Sequence, residues 1–334
     1  MPAPVATPER VFSGMRPTGQ LHVGHLLGAL GNWVALQEDY DCIYSVVDLH
    51  ALTTGYEDPG EIRRSSREMV ADWIAVGVDP ERSIVFRQSE VHEHSELATL
   101  LGMVTPLSWL ERVPTYKGQI AELGEAIDTF GFLGYPLLQT ADIILYRATR
   151  VPVGQDQLPH LELAREVVRR MNHLYGDLFP EPQALLADFP LVLGVDNRKM
   201  SKSYGNAVML ASNDDEIDRL VGSMITDPQR VRRSDPGRPE VCTVFAWHRA
   251  FGASTAEIDE IHRGCTTAEL GCVDDKRALA ARVRATIGPI RERREALMAD
   301  PSAIDDILAD GAARAQAIAA PILAEVKEAM GLTG

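Results

Sequence analysis

The chain has 334 residues, 45% hydrophobic and 24% charged, the composition of a globular protein long enough for two domains. Its net charge of −15 excludes a nonspecific nucleic-acid coat, although a local basic surface for RNA needs only one arginine cluster. No run of about 18 consecutive apolar residues offers a membrane span, the Pro- and Ala-rich start lacks the pattern of a secretory signal, and four cysteines without a dense framework point to a reducing cytoplasm.

In chain order, Val11-Phe12-Ser13 reads as a short buried strand and Gly14 to Gly19 as a Gly/Pro loop. From His22 to Leu36, Leu26, Leu27, Leu30, Trp33 and Val34 recur at helical spacing. Ile43 to Val47 is a second strand that ends at Asp48, Ile62 to Val76 a helix closed by Gly77, Ser83 to Phe86 a third strand, and Glu96 to Val104 a further helix. Gly118 to Gly131 reads as a polar loop or weak helix, Thr140 to Arg147 as a helix, Val151 to Gly154 as strand into turn, and Leu158 to Tyr175 as a long amphipathic helix. Leu191-Val192-Leu193 leads into a basic loop, after which strand signals fade. Asp214 to Met224, Thr255 to Arg263, Lys276 to Ala299 and Ile304 to Met330 read as helices.

Strands alternating with helices predict an α/β fold with a doubly wound parallel sheet, followed by an all-helical domain. The expected division is 10–205 for the first domain and 206–303 for the second, with the helix 304–334 packing back on the first. Ligands of such sheets sit at the carboxyl ends of strands, where Gly14 to Gly19 and Asp48 to His50 both fall. Three arginine clusters, Arg165/Arg169/Arg170, Arg230/Arg232/Arg233 and Arg291/Arg293/Arg294, are each readable as an RNA contact or as a solvated face.

Two loops carry the chemistry. In the first, Gly14 and Gly19 let the backbone approach a ligand and Pro17 stiffens the turn; the chain then enters a helix, whose free N–H groups favour a phosphate. His22 and His25 share one face of that first turn, and Gly24 between them leaves room for a nucleotide. Two such imidazoles suit hydrogen bonding to a phosphoryl transition state; a zinc site and simple capping by His22 are the competing readings. In the second, Lys199-Met200-Ser201-Lys202-Ser203 reads alone as either a surface turn or a loop closing on a polyphosphate. Asp142 lies in a largely apolar stretch and needs a partner if buried: a substrate N–H or O–H, a helix end, or Arg147. Gly154-Gln155-Asp156-Gln157 suits ribose hydroxyls or a plain Asx turn.

These motifs, in this order, resemble the class I aminoacyl-tRNA synthetases, and within them the bacterial tryptophanyl subfamily, from about Arg10 to the C-terminus. His22-Val23-Gly24-His25 matches the first class signature and Lys199 to Ser203 the second; Ser13 to Gly19, Val46 to Thr53, Tyr135 to Asp142 and Val151 to Gln157 match the subfamily. The resemblance implies activation of L-tryptophan by ATP with Mg²⁺ and transfer to tRNA(Trp) by a cytoplasmic homodimer. It implies an ATP site of Arg16, Pro17, Thr18, Gly24, His25, Gly154, Gln155, Asp156, Leu191, Lys199, Met200, Ser201, Lys202 and Ser203. His22, His25, Lys199, Lys202, Ser203 and Lys117 would serve the transition state and leaving pyrophosphate. Asp142 would accept the indole N–H, with Phe12, Gly14, Val47, His50 and Gln157 around the amino acid. Many members of that family carry Gln where Arg16 stands and Asn where His25 stands.

Cys242, Cys265 and Cys272, with 22 and then 6 residues between them, precede Asp275 by two more. In some members of that subfamily four cysteines so spaced imply a four-iron cluster. Three thiols and a carboxylate could hold one more weakly; the expectation is a decayed site of ordinary thiols.

Overall fold

The computed structural model describes residues 9–114, 118, 127–186 and 192–333. Five strands among them, β1 (Arg10–Met15), β2 (Asp41–Val46), β3 (Ile84–Arg87), β4 (Arg150–Val153) and β5 (Gln183–Leu186), form one sheet in the order β3-β2-β1-β4-β5. Every pairing is parallel, with Phe12 opposite Ile43 and Ile43 opposite Ile84. Val11, Cys42, Ile43, Tyr44, Val46, Val85 and Phe86 are buried, giving the unbroken apolar runs of strands covered on both faces. The strand order reverses between β1 and β4, so a crevice opens beyond Met15 and Val153, at the topological switch point.

One face of the sheet is covered by Trp33, Met69 and Trp73, in a core that runs without a break into Ile217, Leu220, Leu279, Val283 and Ile287 of the later helices. The other face packs on Leu137, Ile144, Leu161 and Val167, and on Ala315, Ala319 and Leu323 of the last helix. The helix Pro59–Val76 starts at Asp58, whose side chain accepts the Glu61 N–H, and stops at Gly77 with φ of +125°. It thus begins a turn before the predicted Ile62 and closes where expected. Past residue 206 the described elements are helical, chiefly Asp214–Gly222, Thr243–Ala250, Thr255–Thr266, Cys272–Ala299 and Pro301–Ala329. By length and composition the last could cross a membrane, but it lies along β3: a Cβ on Gly311 would stand 1.9 Å from the Val85 carbonyl oxygen, so only glycine lets the helix backbone close over this sheet edge.

Sequence and structure differ in several places. The helix expected over Thr140 to Arg147 runs instead from Phe130 to Ile144, and Leu107–Glu111 is a further short helix. The stretch Val23 to Leu36 is not one α-helix but two short ones joined by a π-helical segment, Leu26–Leu30, with Gly28 off helical geometry. Asp48 opens a helix, Asp48–Gly55, rather than only closing a strand. The edge strand β5 and the helix Thr243–Ala250 carry too few residues for a clear period. Most of the arginine candidates hold the protein together. Arg294 donates to Asp72, Arg293 to the Ala75 carbonyl, Arg291 to Asp214, Arg169 to Glu181, Arg170 to the Val104 carbonyl and Arg230 to the Leu270 carbonyl.

Candidate active site

The crevice at the switch point is a cavity of about 460 Å³. Its walls come from the ends of β1 (Phe12, Gly14, Arg16), β2 (Val47, His50) and β4 (Val153, Gly154, Gln157), and from the helix Phe130–Ile144 (Tyr135, Gln139, Asp142). Residues taken from the sequence as tryptophan contacts, Phe12, Gly14, Val47, His50, Asp142 and Gln157, all line it. Trp33 and His160 do as well.

Asp142 is 1% exposed and has neither of the protein partners expected for it. Its Oδ2 faces His50 Nε2 at 2.8 Å; its Oδ1 faces His94 Nδ1 at 2.6 Å and accepts Gln88 Nε2–H at 2.7 Å. Arg147 pairs instead with Glu325. Burial would raise the Asp142 pKa, but the hydrogen bonds from His50 and His94 outweigh it and hold the carboxyl at about 2. The site therefore presents a carboxylate, not an acid, to the cavity. On its far side His94 Nε2 meets the Tyr146 hydroxyl at 2.7 Å, and Tyr146 stacks on Phe12 with centroids 5.6 Å apart. Asp48 fastens the end of β2 to that of β3: its carboxylate accepts the Ser89 N–H and hydroxyl at 3.0 and 2.5 Å. Nothing in the local sequence pattern pointed to His94 or Tyr146. Gln88 directly follows β3, so the strand-end rule that singled out Asp48 to His50 would have found it.

The two signature loops are joined by backbone. The Val23 N–H donates to the Val208 carbonyl and the Leu210 N–H to the Leu21 carbonyl, each at 2.9 Å, so the segment after the lysine run forms a bridge with the entry to the first helix. His22 caps that helix: its Nδ1 accepts the Gly24 N–H at 3.1 Å, and His25 Nδ1 accepts the His22 N–H at 3.2 Å. Both Nδ1 atoms are acceptors, so the ring protons belong on Nε2, facing away from the turn. Burial, then the neighbouring His25, lowers the His22 pKa to about 3; burial also lowers that of His25. Capping and ligand donation are thus compatible roles of one neutral imidazole pair, whose centroids are 3.9 Å apart. A Cβ on Gly24 would fall 2.9 Å from the His22 ring and 3.4 Å from Met200 Sδ, which places the buried Met200 on the signature turn.

Lys199, Lys202 and Ser203 are exposed, and Ser201 and Ser203 share a hydrogen bond of 2.9 Å. Lys202 Nζ reaches within 2.7 Å of where a Cβ on Gly19 would stand. Asn206, 2% exposed, holds the loop by accepting the Ser201 N–H and donating to the Lys199 carbonyl and Asp196. Arg16 donates to the Thr54 hydroxyl; Pro17 is buried and Thr18 exposed beside it. Gly154, Gln155 and Asp156 form the exposed turn after β4, where Asp156 accepts from Gln157 Nε2 at 2.9 Å. Leu191 and Lys117 lie outside the described residues.

Cys242, Cys265, Cys272 and Asp275 do come together, with Asp227 and Arg230, around a cleft of about 10 Å³. This set does not fit an iron–sulfur cluster. The space admits roughly one water, Asp275 is bonded to His248 at 3.0 Å, and the Arg230 guanidinium stands 3.8 Å from the Cys265 sulfur. Burial raises the thiol pKa values of Cys242 and Cys265, against the thiolate form that a cluster needs. Among the described residues no group of three His, Cys, Asp or Glu side chains is arranged to hold a metal ion.

Residues 6–288 match a family described as tRNA synthetases class I (W and Y). The chain is 49% identical over 325 residues to a tryptophan–tRNA ligase of Thermotoga maritima, covering 97% of this chain and 99% of the relative. It is 41% identical over 393 aligned positions to that of Aquifex aeolicus, covering 97% and 100%. Its fold superposes with a TM-score of 0.89 on a tryptophanyl-tRNA synthetase from Campylobacter jejuni complexed with ADP and tryptophan, at 32% identity and with 97% and 100% of the two chains covered. A parallel sheet whose two signature loops are joined by backbone, and near full-length identity to these ligases, place the chain in the class I aminoacyl-tRNA synthetases, in the bacterial tryptophanyl branch that ligates tryptophan to tRNA with ATP.

Proposed function

We propose a division of labour within the cavity. Asp142 accepts the indole N–H of tryptophan, with Phe12, Gly14, Val47, His50 and Gln157 around the amino acid. ATP, as its Mg²⁺ complex, lies over Gly24 and His25, with its ribose end at Gly154, Gln155 and Asp156 and with Pro17, Thr18 and Leu191 beside it. Lys199, Met200, Ser201, Lys202 and Ser203 close over the polyphosphate, assisted by Lys117. The tryptophan carboxylate attacks the α-phosphorus in line, and the bond to the β-phosphate oxygen breaks, so pyrophosphate leaves. His22 and His25 donate from Nε2 to the transition state, and the two lysines take up the charge of the leaving group. The terminal ribose hydroxyl of tRNA(Trp) then attacks the aminoacyl carbonyl and AMP leaves.

The observation that carries this reading is Asp142: a buried carboxylate kept charged by three donors at the wall of the pocket. An analogue without a matching N–H leaves that charge without its ligand partner, which makes a strong filter. Residues 10–205 act as the catalytic domain and 206–303 as a helical anticodon-binding domain, with 304–334 returning to the sheet; all five described strands fall in the first segment. The working form is a cytoplasmic homodimer. Met103, Leu107 and Phe130, which are 73%, 58% and 90% exposed on neighbouring helices, offer an apolar contact face for it.

ATP–pyrophosphate exchange with each of the common amino acids tests the assignment. Exchange with tryptophan that is lost in Asp142→Ala, while ATP binding persists, is expected. Exchange driven by tyrosine instead, or equal loss of both substrates in the variant, overturns it.

A further inference from the structure

Among the described residues, one cation that lines the cavity has no paired carboxylate. Arg16 leaves the end of β1 and lines the pocket; its Nη2 donates to the Thr54 hydroxyl, and its Nε is buried with no hydrogen-bond partner. Among the described residues no carboxylate pairs with it, although the chain carries 48 Asp and Glu. Most other arginines that leave the surface have a carboxylate, as Arg294 has Asp72 and Glu68 and Arg10 has Asp41; Arg230, half-buried without one, is held instead by the Leu270 and Arg233 carbonyls. Burial lowers the Arg16 pKa, with Tyr135 acting the other way. A desolvated guanidinium without a counter-charge is costly, and it is kept where an incoming anion completes it.

The neighbours of Arg16 say which anion. Thr54 stands on the helix Asp48–Gly55, which carries His50, and Tyr135 on the helix Phe130–Ile144, which carries Asp142. Both belong to the amino-acid side of the pocket rather than to the lysine loop. We propose that Arg16 binds the carboxylate of tryptophan and orients it for attack. The inference rests on the reading of the cavity given above, and it moves Arg16 from the nucleotide to the amino acid. In the step itself the carboxylate oxygen bonds to the α-phosphorus, pyrophosphate leaves with the electron pair of the broken P–O bond, and no proton moves. The carboxylate loses charge as it becomes an acyl phosphate. Arg16 therefore strengthens the ground state at least as much as the transition state, and its removal raises KM more than it lowers kcat.

Calorimetric titration of wild type and Arg16→Gln with tryptophan, tryptophanamide and Mg-ATP reads this directly. Affinity for tryptophan should fall about tenfold or more, the scale of one charge-assisted hydrogen-bonded pair, with tryptophanamide and ATP changed by less than about twofold. Arg16→Lys should recover part of the loss. Equal weakening of acid and amide overturns the proposal in favour of packing, weakening confined to ATP overturns it in favour of the α-phosphate, and no weakening overturns it outright. Asp142→Ala, run beside it, should weaken acid and amide alike. If it weakens neither, the tryptophan reading of the cavity has failed, whatever Arg16 does.

Discussion

Asp142 and Asp72 are both carboxylates sealed from solvent, at 1% and 0% exposure, and they titrate in opposite directions. Burial pushes both up. At Asp142, hydrogen bonds from His50 and His94 more than reverse it and the pKa falls to about 2. At Asp72, the charge of Arg294 and the Leu21 N–H only partly offset burial, Glu68 adds to it, and the pKa is pushed up to about 6. Donor number and the sign of the neighbours, not depth, decide the outcome. The positions differ to match. Asp142 points a permanent charge into the pocket. Asp72 spans a seam: one oxygen accepts the backbone N–H that opens the signature turn, and the other holds Arg294 of the helix Cys272–Ala299.

The sharpest way to break the comparison is to remove the charge at Asp142. Asp142→Ala strands His50, His94 and Gln88 and takes away the acceptor proposed for the indole N–H, so tryptophan activation should fall by roughly 10³-fold, ~4 kcal/mol at the transition state. Pyrophosphate exchange measures it, with ATP binding as the control. The same carboxylate gives the protein a stability term that is lost at low pH. Because its folded pKa lies below the unfolded value, roughly 2 kcal/mol should be present above about pH 4 and lost as pH falls toward about 2. Acid unfolding of Asp142→Asn should lack that slope.

Asp72 should show the reverse sign. A carboxyl whose folded pKa is raised binds its proton more tightly when folded, so its stability contribution is greatest below about pH 4 and declines until about pH 6. Relative to Asp72→Asn, the wild type should lose roughly 2 to 3 kcal/mol across that window, read as diverging urea midpoints. A difference between the two proteins that stays constant from pH 4 to pH 8 would show that Arg294 keeps Asp72 fully ionised throughout.

The contrast also marks what the sequence could disclose. The sheet, the helical second half and the loops at strand ends were legible because periodicity and Gly/Pro punctuation are local. Asp142 stood out as an acid among apolar residues, and Lys199 and Lys202 as a basic run. Its clamp did not stand out: Gln88 and His94 lie 54 and 48 residues upstream and meet Asp142 only when β3 takes its place beside β2. Asp72 looked like an ordinary polar residue inside a helix, and Arg294 like one of a solvated cluster; only the tertiary contact gives either a meaning. Edge strand β5 escaped because its half-exposed residues carry little alternation. Asn206, the tether of the lysine loop, was visible as a residue but not as a partner for three backbone and side-chain groups.

The smallest expected effect probes how far the clamp around Asp142 extends. With Asp142 charged, His94 Nδ1 must carry the proton it donates, so Nε2 accepts from Tyr146. Burial raises the Tyr146 pKa well above its ordinary value, and so its hydroxyl stays a donor at every working pH. Tyr146→Phe keeps the stack on Phe12 and removes only that hydroxyl, leaving Nε2 buried without a partner at a cost of about 1 kcal/mol. In a chain of this length that lowers Tm by about 2 °C. Because His94 still donates to Asp142 through its other nitrogen, the tryptophan KM should rise only about two- to threefold and kcat should hold, the pattern of a slightly loosened ground state. A loss of activation on the scale of Asp142→Ala would mean instead that the proton on Tyr146 fixes the charge of the whole His94–Asp142 pair. The acceptor proposed for the indole would then be built from three residues rather than one.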